Sequence, residues 1–285
     1  MKMIYVNGRL VDETEAVLSA LDHGFLYGHG LFETMRAYNG KVFCLDAHLE
    51  RLEYGMRILG WTEIPGRRDL SEAVYGTLAA NGLKEASVRL TLSRGIGAPR
   101  PDAATCGSPT VVVFAGPVAA RASTVEEGWK VVTVSLRRNL SSPLCKIKSA
   151  NYLDNMLARS EARQQGAQEG IMLNTDGYLA EGTMSNIFLV SSGKLITPDA
   201  GSGILPGITR DVVIKLARRL SITTEERAVL PVEMDKADEI FLTSSIMEII
   251  PVICCNQHSL IKGNITALLA KAYQEHVLSV SCGER

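Results

Sequence analysis

Short turn signals at irregular intervals constrain this chain more than any other feature. Asn7-Gly8 separates an apolar segment at 3–6 from its return at 9–11, and Asn39-Gly40 separates residues 31–38 from 41–45. Such pairs tolerate the positive φ that a two-residue hairpin loop demands. Two further hairpins turn at Thr175-Asp176-Gly177 and Ser191-Ser192-Gly193. Between hairpins the apolar period changes to that of a helix. Leu49, Leu52, Met56 and Leu59 follow a capping Asp46, and Gly60 closes the run. Helices are also predicted over 69–80, about 150–165, 209–220 and about 265–278. Strands are predicted over 87–93, 110–115, 129–136 and 239–243. Hairpins interleaved with helices, without visible βαβ alternation, predict an α+β fold and argue against a doubly wound sheet.

A chain of 285 residues is long enough for two packed domains, and 46% hydrophobic content can fill their cores. Residues 117–127 are small, polar and aperiodic, so they are the expected linker between a domain at 1–116 and a larger one at 128–285. The formal net charge is −1, and the basic pairs Arg137-Arg138 and Arg218-Arg219 are too short for a nucleic-acid or membrane surface. The chain has no apolar run of transmembrane length and no apolar signal core at its start. Six cysteines, at 44, 106, 145, 254, 255 and 282, show no metal-binding spacing and are expected as reduced thiols in a cytoplasmic protein. No metal site is expected.

The chemistry centres on Lys148, between apolar Ile147 and the start of a predicted helix. A lysine there can lose its proton, and a neutral amine attacks aldehydes. The aldehyde cofactor that such a lysine serves is pyridoxal phosphate, which also needs an acid at its ring nitrogen and donors for its phosphate. Glu181, at a strand end before small residues, can supply the acid. Gly207-Ile208-Thr209 opens a helix and offers backbone amides and a hydroxyl. Ser244 and Ser245 follow a strand with two more hydroxyls, and Arg51 adds a cation.

Six blocks, in order, carry a resemblance to a known family. They are Asp22-His23-Gly24-Phe25-Leu26-Tyr27-Gly28-His29-Gly30-Leu31-Phe32-Glu33-Thr34, His48-Leu49-Glu50-Arg51-Leu52 and Ile147-Lys148-Ser149-Ala150-Asn151-Tyr152-Leu153. The others are Ala180-Glu181-Gly182 through Ser185-Asn186-Ile187-Phe188, Leu205-Pro206-Gly207-Ile208-Thr209-Arg210, and Thr243-Ser244-Ser245 through Pro251. Together they resemble the class IV (fold-type IV) pyridoxal-phosphate enzymes. That family includes branched-chain and D-amino-acid aminotransferases and 4-amino-4-deoxychorismate lyases. The resemblance implies a small N-terminal α/β domain and a larger domain with a barrel-like sheet, with the active site between domains and near a homodimer interface. It implies that Lys148 is the Schiff-base lysine and proton shuttle, and that Glu181 bonds the ring nitrogen. Tyr152 would sit by the ring hydroxyl, and Arg51, Ile208, Thr209 and Ser245 would bind the phosphate.

The substrate pocket distinguishes members. Phe32, His29, Arg94 and Arg100 are its candidate residues. Pro99-Arg100 resembles the D-amino-acid enzymes, but Asp102 stands where they carry a histidine. The start Ser93-Arg94-Gly95-Ile96-Gly97 resembles the lyases, but their later Arg-Gly-Tyr is absent. The expected activity is transamination between an amino acid, of D or branched-chain type, and a 2-oxo acid. The alternatives are a lyase that releases pyruvate and 4-aminobenzoate, and a pyridoxal-phosphate-binding protein without turnover. Substrate handedness stays open at this point.

Overall fold

The computed structural model describes residues 2–118 and 127–282. They form two compact units, one holding residues 2–118 with Ile147–Asn151, the other residues 127–146 with Tyr152–Ser279. Most of the expected linker, residues 119–126, lies outside the described residues.

The first unit contains β1 (Met3–Val6), β2 (Arg9–Asp12), α1 (His23–Tyr27), β3 (Gly30–Tyr38), β4 (Lys41–Val42), α2 (Leu45–Ile58), α3 (Arg67–Ala80), β5 (Ala86–Ser93) and β6 (Thr110–Pro117). Its sheet has the order β2-β1-β6-β5-β3-β4 and is antiparallel throughout. Alternation along β3 buries Leu31, Glu33, Met35 and Ala37 completely. Gly55 lets α2 approach Leu31: a Cβ there would lie 3.0 Å from both Leu31 methyls. Phe32, Thr34 and Arg36 take the opposite parity, across from Thr91, Arg89 and Ser87 of β5. The helix α2 starts at Leu45, one residue earlier than its expected cap. Cys44 turns left-handed (φ 54°) and ends the strand after Val42, so Asp46 lies inside the first turn instead of capping it.

The second unit contains β7 (Trp129–Arg138), α4 (Leu153–Gln164), β8 (Glu169–Asn174), β9 (Leu179–Gly182), β10 (Asn186–Ser191), β11 (Lys194–Pro198), α5 (Ile208–Arg219), β12 (Thr224–Arg227), α6 (Val232–Asp235), β13 (Glu239–Ser244), β14 (Glu248–Cys255), β15 (His258–Ser259) and most of α7 (Asn264–Cys282). The main path of its nine-stranded sheet runs β12-β11-β10-β13-β14-β7-β8-β9, with β15 on β14. The edge strand β9 also approaches β10 and β11, so the sheet curls into a barrel-like form. Phe188 and Phe241 stack on neighbouring strands, with centroids 4.9 Å apart.

Two features correct the sequence expectations. The pairs β7/β8 and β11/β12 are parallel, with α4 and α5 as their respective crossovers, so βαβ units do occur within the α+β fold. Their spacing is hidden in sequence by the irregular segments that precede each helix. Second, α4 begins at Leu153, not near 150. Residues before it pair elsewhere: Ser149 bridges Leu31, and the Ala150 N–H donates to the Gly30 carbonyl at 2.8 Å. Backbone used in strand pairing is not available to a helix.

Among the described residues, no helix is long and apolar enough to cross a membrane, and no acid, histidine and cysteine cluster could hold a metal. Cys44, Cys106, Cys145, Cys254 and Cys255 are free thiols. Burial pushes the Cys255 thiol up to about 12.

Candidate active site

Within the first unit, Lys148 sits in a turn that Ser149, the next residue, ties to β3. The Phe32 N–H donates to the Lys148 carbonyl at 3.0 Å, and the Ala150–Gly30 bond holds the other side. The Lys148 Nζ lies 4.6 Å from the centroid of the Phe32 ring. The Arg89 guanidinium lies 3.8 Å from the same ring. One aromatic ring therefore lies beside both the Lys148 amine and the Arg89 guanidinium. Arg89 was not among the sequence candidates. Its strand parity matches Thr91, but only the register Thr34↔Arg89 brings it beside Phe32.

Arg51 is buried and held by Glu33. Its Nε donates to one carboxylate oxygen at 2.8 Å and its Nη2 to the other at 2.6 Å. His48 Nδ1 meets the second oxygen at 2.7 Å. Burial, the largest influence on Glu33, raises its pKa. The Arg51 charge and the His48 hydrogen bond outweigh it and hold the carboxyl at about 2. Burial also lowers the His48 pKa below its ordinary value, against the pull of Glu33. A neutral His48 then carries its proton on Nδ1, facing Glu33. Arg51 was expected at a phosphate, and this bidentate clamp fixes the plane of its guanidinium. Glu33 and His48 were missed. The available signal was an acid inside an apolar strand, with His48 and Arg51 three residues apart on one helix face.

His29 is half-buried and accepts a hydrogen bond from the Trp61 indole at 3.0 Å on Nε2. Burial lowers its pKa, and Arg94 and His23 lower it further. Its ring therefore presents Nδ1–H as a neutral donor at neutral pH. The Arg94 backbone N–H donates to the His29 carbonyl at 2.9 Å, and its guanidinium donates to the Gly107 carbonyl at 2.6 Å. Arg100 is exposed and pairs with Asp102 at 3.3 Å. Asp102 also accepts the Ala104 N–H, which starts a short 3-10 turn. The structure thus joins Arg94 to His29 and leaves Arg100 on the loop beside its own acid.

Within the second unit, Glu181 lies buried near the end of β9. One oxygen accepts the Leu205 N–H at 3.0 Å and the Asn186 amide at 3.4 Å, and the other lies 3.2 Å from Arg138 Nη2. Arg138 also donates to the carbonyls of Cys145 and Gly203. As half of a short basic pair, Arg138 gave no sign in sequence of orienting an acid. Tyr152 donates its hydroxyl to the Thr183 carbonyl at 3.1 Å. Helix α5 opens at Gly207 with no side-chain cap, and Ile208 and Thr209 form its first turn. A side chain on Gly207 would collide with Asn186 Oδ1. Thr243, the register partner of Asn186, has a buried hydroxyl without a hydrogen-bond partner. Ser244, next to it, accepts the Met247 N–H at 3.2 Å, and half-buried Ser245 follows.

These groups fit pyridoxal phosphate. Within the second unit an oriented acid suits its ring nitrogen, and uncapped helix amides and an orphaned hydroxyl suit its phosphate; within the first, the Lys148 amine suits its aldehyde. Such a donor set belongs to an enzyme that uses pyridoxal phosphate for amino-group chemistry. The comparisons narrow the class to one family. The family model described as amino-transferase class IV matches residues 30–254, and the chain belongs to that family. A Methanocaldococcus jannaschii protein, provisionally named a branched-chain-amino-acid aminotransferase, is 41% identical over 87% of this chain and 86% of its own. The aminodeoxychorismate lyase of Bacillus subtilis is 39% identical over 87% of this chain and 85% of its own. The crystal structure of the branched-chain aminotransferase of Thermoproteus uzoniensis superposes with a TM-score of 0.90. It is 36% identical and covers 98% of this chain and 95% of its own.

Proposed function

We propose that this chain is a pyridoxal-phosphate-dependent transaminase that moves an amino group between an amino acid, of branched-chain or D type, and a 2-oxo acid. The observation that carries this reading is the pairing of Lys148 and Arg89 on the Phe32 ring. A nucleophilic amine beside a fixed cation suits a substrate that presents an amino group and a carboxylate.

Bound pyridoxal phosphate supplies the aldehyde for the lysine and a protonated ring that draws electrons from the substrate Cα. Lys148 Nζ would hold the cofactor by its aldehyde carbon; once the substrate amine takes its place there, the freed Nζ would accept and carry the substrate Cα proton. Glu181 keeps the ring nitrogen protonated, and Arg138 and the Leu205 N–H keep Glu181 aimed. Arg51, the amides of Ile208 and Thr209, and the hydroxyls of Thr209, Ser244 and Ser245 bind the phosphate. Tyr152 faces the ring hydroxyl. Phe32, His29 and Arg94 would line the substrate side, with Arg89 added, while Arg100 stays on its loop with Asp102. Glu181→Gln is expected to retain cofactor and slow turnover by at least on the order of 100-fold, because the ring loses its proton-holding partner. Single-turnover rates near those of the unchanged protein would contradict the assignment.

A lyase reading is favoured by the 39% identity to the Bacillus subtilis enzyme. Half-reaction spectroscopy separates the two. The purified holoenzyme is mixed with L-leucine, D-alanine or aminodeoxychorismate, one at a time. Transamination converts the cofactor to its amine form and identifies the handedness of the donor. Pyruvate release with no amine form identifies the lyase.

A homodimer is part of the proposal. Val17 and Phe25 in the first unit are 77% and 76% exposed, and Leu153 and Met156 on α4 in the second are 65% and 63% exposed. Leu157, one turn on from Leu153, is 52% exposed as well, and large apolar side chains grouped in this way on one helix suit a partner. A cytoplasmic location agrees with the free thiols.

A further inference from the structure

We infer that Glu169 is a positioning residue for Tyr152 and acts on it through a single peptide group. The inference rests on the reading above that Tyr152 faces the cofactor's ring hydroxyl.

Glu169 opens β8 and is fully buried. Its Oε1 accepts the N–H groups of Gly170 at 2.9 Å and Thr183 at 3.1 Å, and the Thr183 hydroxyl. Its Oε2 accepts the Met184 N–H at 3.3 Å and the Ser185 hydroxyl at 3.1 Å. Arg159 Nη1 stands 3.9 Å away without a hydrogen-bond partner of its own. A buried carboxylate is tolerated only when its oxygens are served in this way. The whole turn from β9 to β10 therefore wraps around Glu169.

The geometry has a second side. The peptide between Thr183 and Met184 points its N–H at Glu169. In a trans peptide the carbonyl points the opposite way. There the Thr183 carbonyl accepts the Tyr152 hydroxyl at 3.1 Å and the Asn155 amide at 2.8 Å. The Glu169 charge polarises the peptide and strengthens its carbonyl as an acceptor, since hydrogen bonds in a chain reinforce one another. Glu169 thus sets both where the Tyr152 hydroxyl points and how firmly its proton is held. Sequence offered no hint of this, because Glu169, Thr183 and Tyr152 lie in three separate segments of the chain.

The test titrates the cofactor's absorption band with pH in purified holoenzyme, for Glu169→Gln, Tyr152→Phe and the double variant. Glu169→Gln is expected to move the midpoint by about half a pH unit or more. That shift should vanish in the Tyr152→Phe background. Asn155→Leu removes the competing donor on the same carbonyl. It should move the midpoint the opposite way, again only when Tyr152 is present, and it serves if Glu169→Gln does not fold. A lowered melting temperature with an unmoved midpoint would make Glu169 a structural staple only and overturn the inference. An equal shift with and without the Tyr152 hydroxyl would mean a long-range field effect and overturn it too. If Tyr152→Phe alone leaves the midpoint in place, the placement of Tyr152 fails first, and the role of Glu169 fails with it.

Discussion

Lys148→Ala is expected to abolish covalent attachment of the cofactor and to slow turnover by at least on the order of 1,000-fold. Two contributions are lost together. A positioned general acid–base is worth roughly 100- to 10,000-fold, and the covalent link to the cofactor adds to it. The Lys148 carbonyl and the Ala150 N–H, on either side of Ser149, are paired with β3, so alanine at 148 leaves the fold intact and removes only the amine. Borohydride treatment followed by mass analysis should find the adduct on the unchanged protein and none on the variant. Lys148→Arg should behave like the alanine variant, because a guanidinium keeps the charge and does not release its proton near neutral pH. An adduct that persists in Lys148→Ala would remove Lys148 from its proposed role. Cofactor should still bind the variant noncovalently, since Glu181 and the first turn of α5 are untouched.

Arg51→Met is expected to cost about 3–5 kcal/mol of stability, the range for leaving a buried charge without its partner. Glu33 is completely buried and takes two of its close hydrogen bonds from Arg51. For a chain of this size the loss corresponds to a melting temperature lower by roughly 10 °C. Adding Glu33→Gln to Arg51→Met should restore part of it, because the stranded charge is then gone. The same cluster predicts acid sensitivity. The Glu33 carboxyl falls from an ordinary 4.5 to about 2 on folding, which corresponds to roughly 3 kcal/mol. A depressed acid contributes its full stability above pH 4.5 and loses it as pH falls towards 2. His48, whose pKa is also lowered, acts in the same direction from higher pH. Below 6.5 the unfolded chain binds a proton there that the folded chain refuses. Denaturant unfolding between pH 7 and pH 3 should show a shallower decline for Glu33→Gln than for the unchanged protein. Parallel declines would show that Glu33 is not the titrating group.

Local features of the fold were legible. Asn7, Asn39 and Ser192 adopt positive φ beside glycines in the expected turns, because those residues tolerate it at small cost. Helix α3 begins two residues before its predicted start and ends at the predicted residue, ahead of Asn81-Gly82. Boundaries failed where a distant strand competed for the backbone, as at Ser149 and Ala150, and where Cys44 turned left-handed without a glycine to announce it.

The candidate site divides along the same line. Lys148, Glu181, Thr209 and Arg51 stand in short blocks that, taken together and in order, resemble the class IV enzymes, so sequence alone determined the cofactor class. The partners that aim these groups were decided only by tertiary structure. Glu33 reaches Arg51 across 18 residues and Arg138 reaches Glu181 across 43, while Arg89 meets Phe32 through strand register. A turn or a helix is written in neighbouring residues because backbone preference is local. A buried ion pair, a shared aromatic ring or a polarised peptide exists only once folding has removed water from groups far apart in the chain.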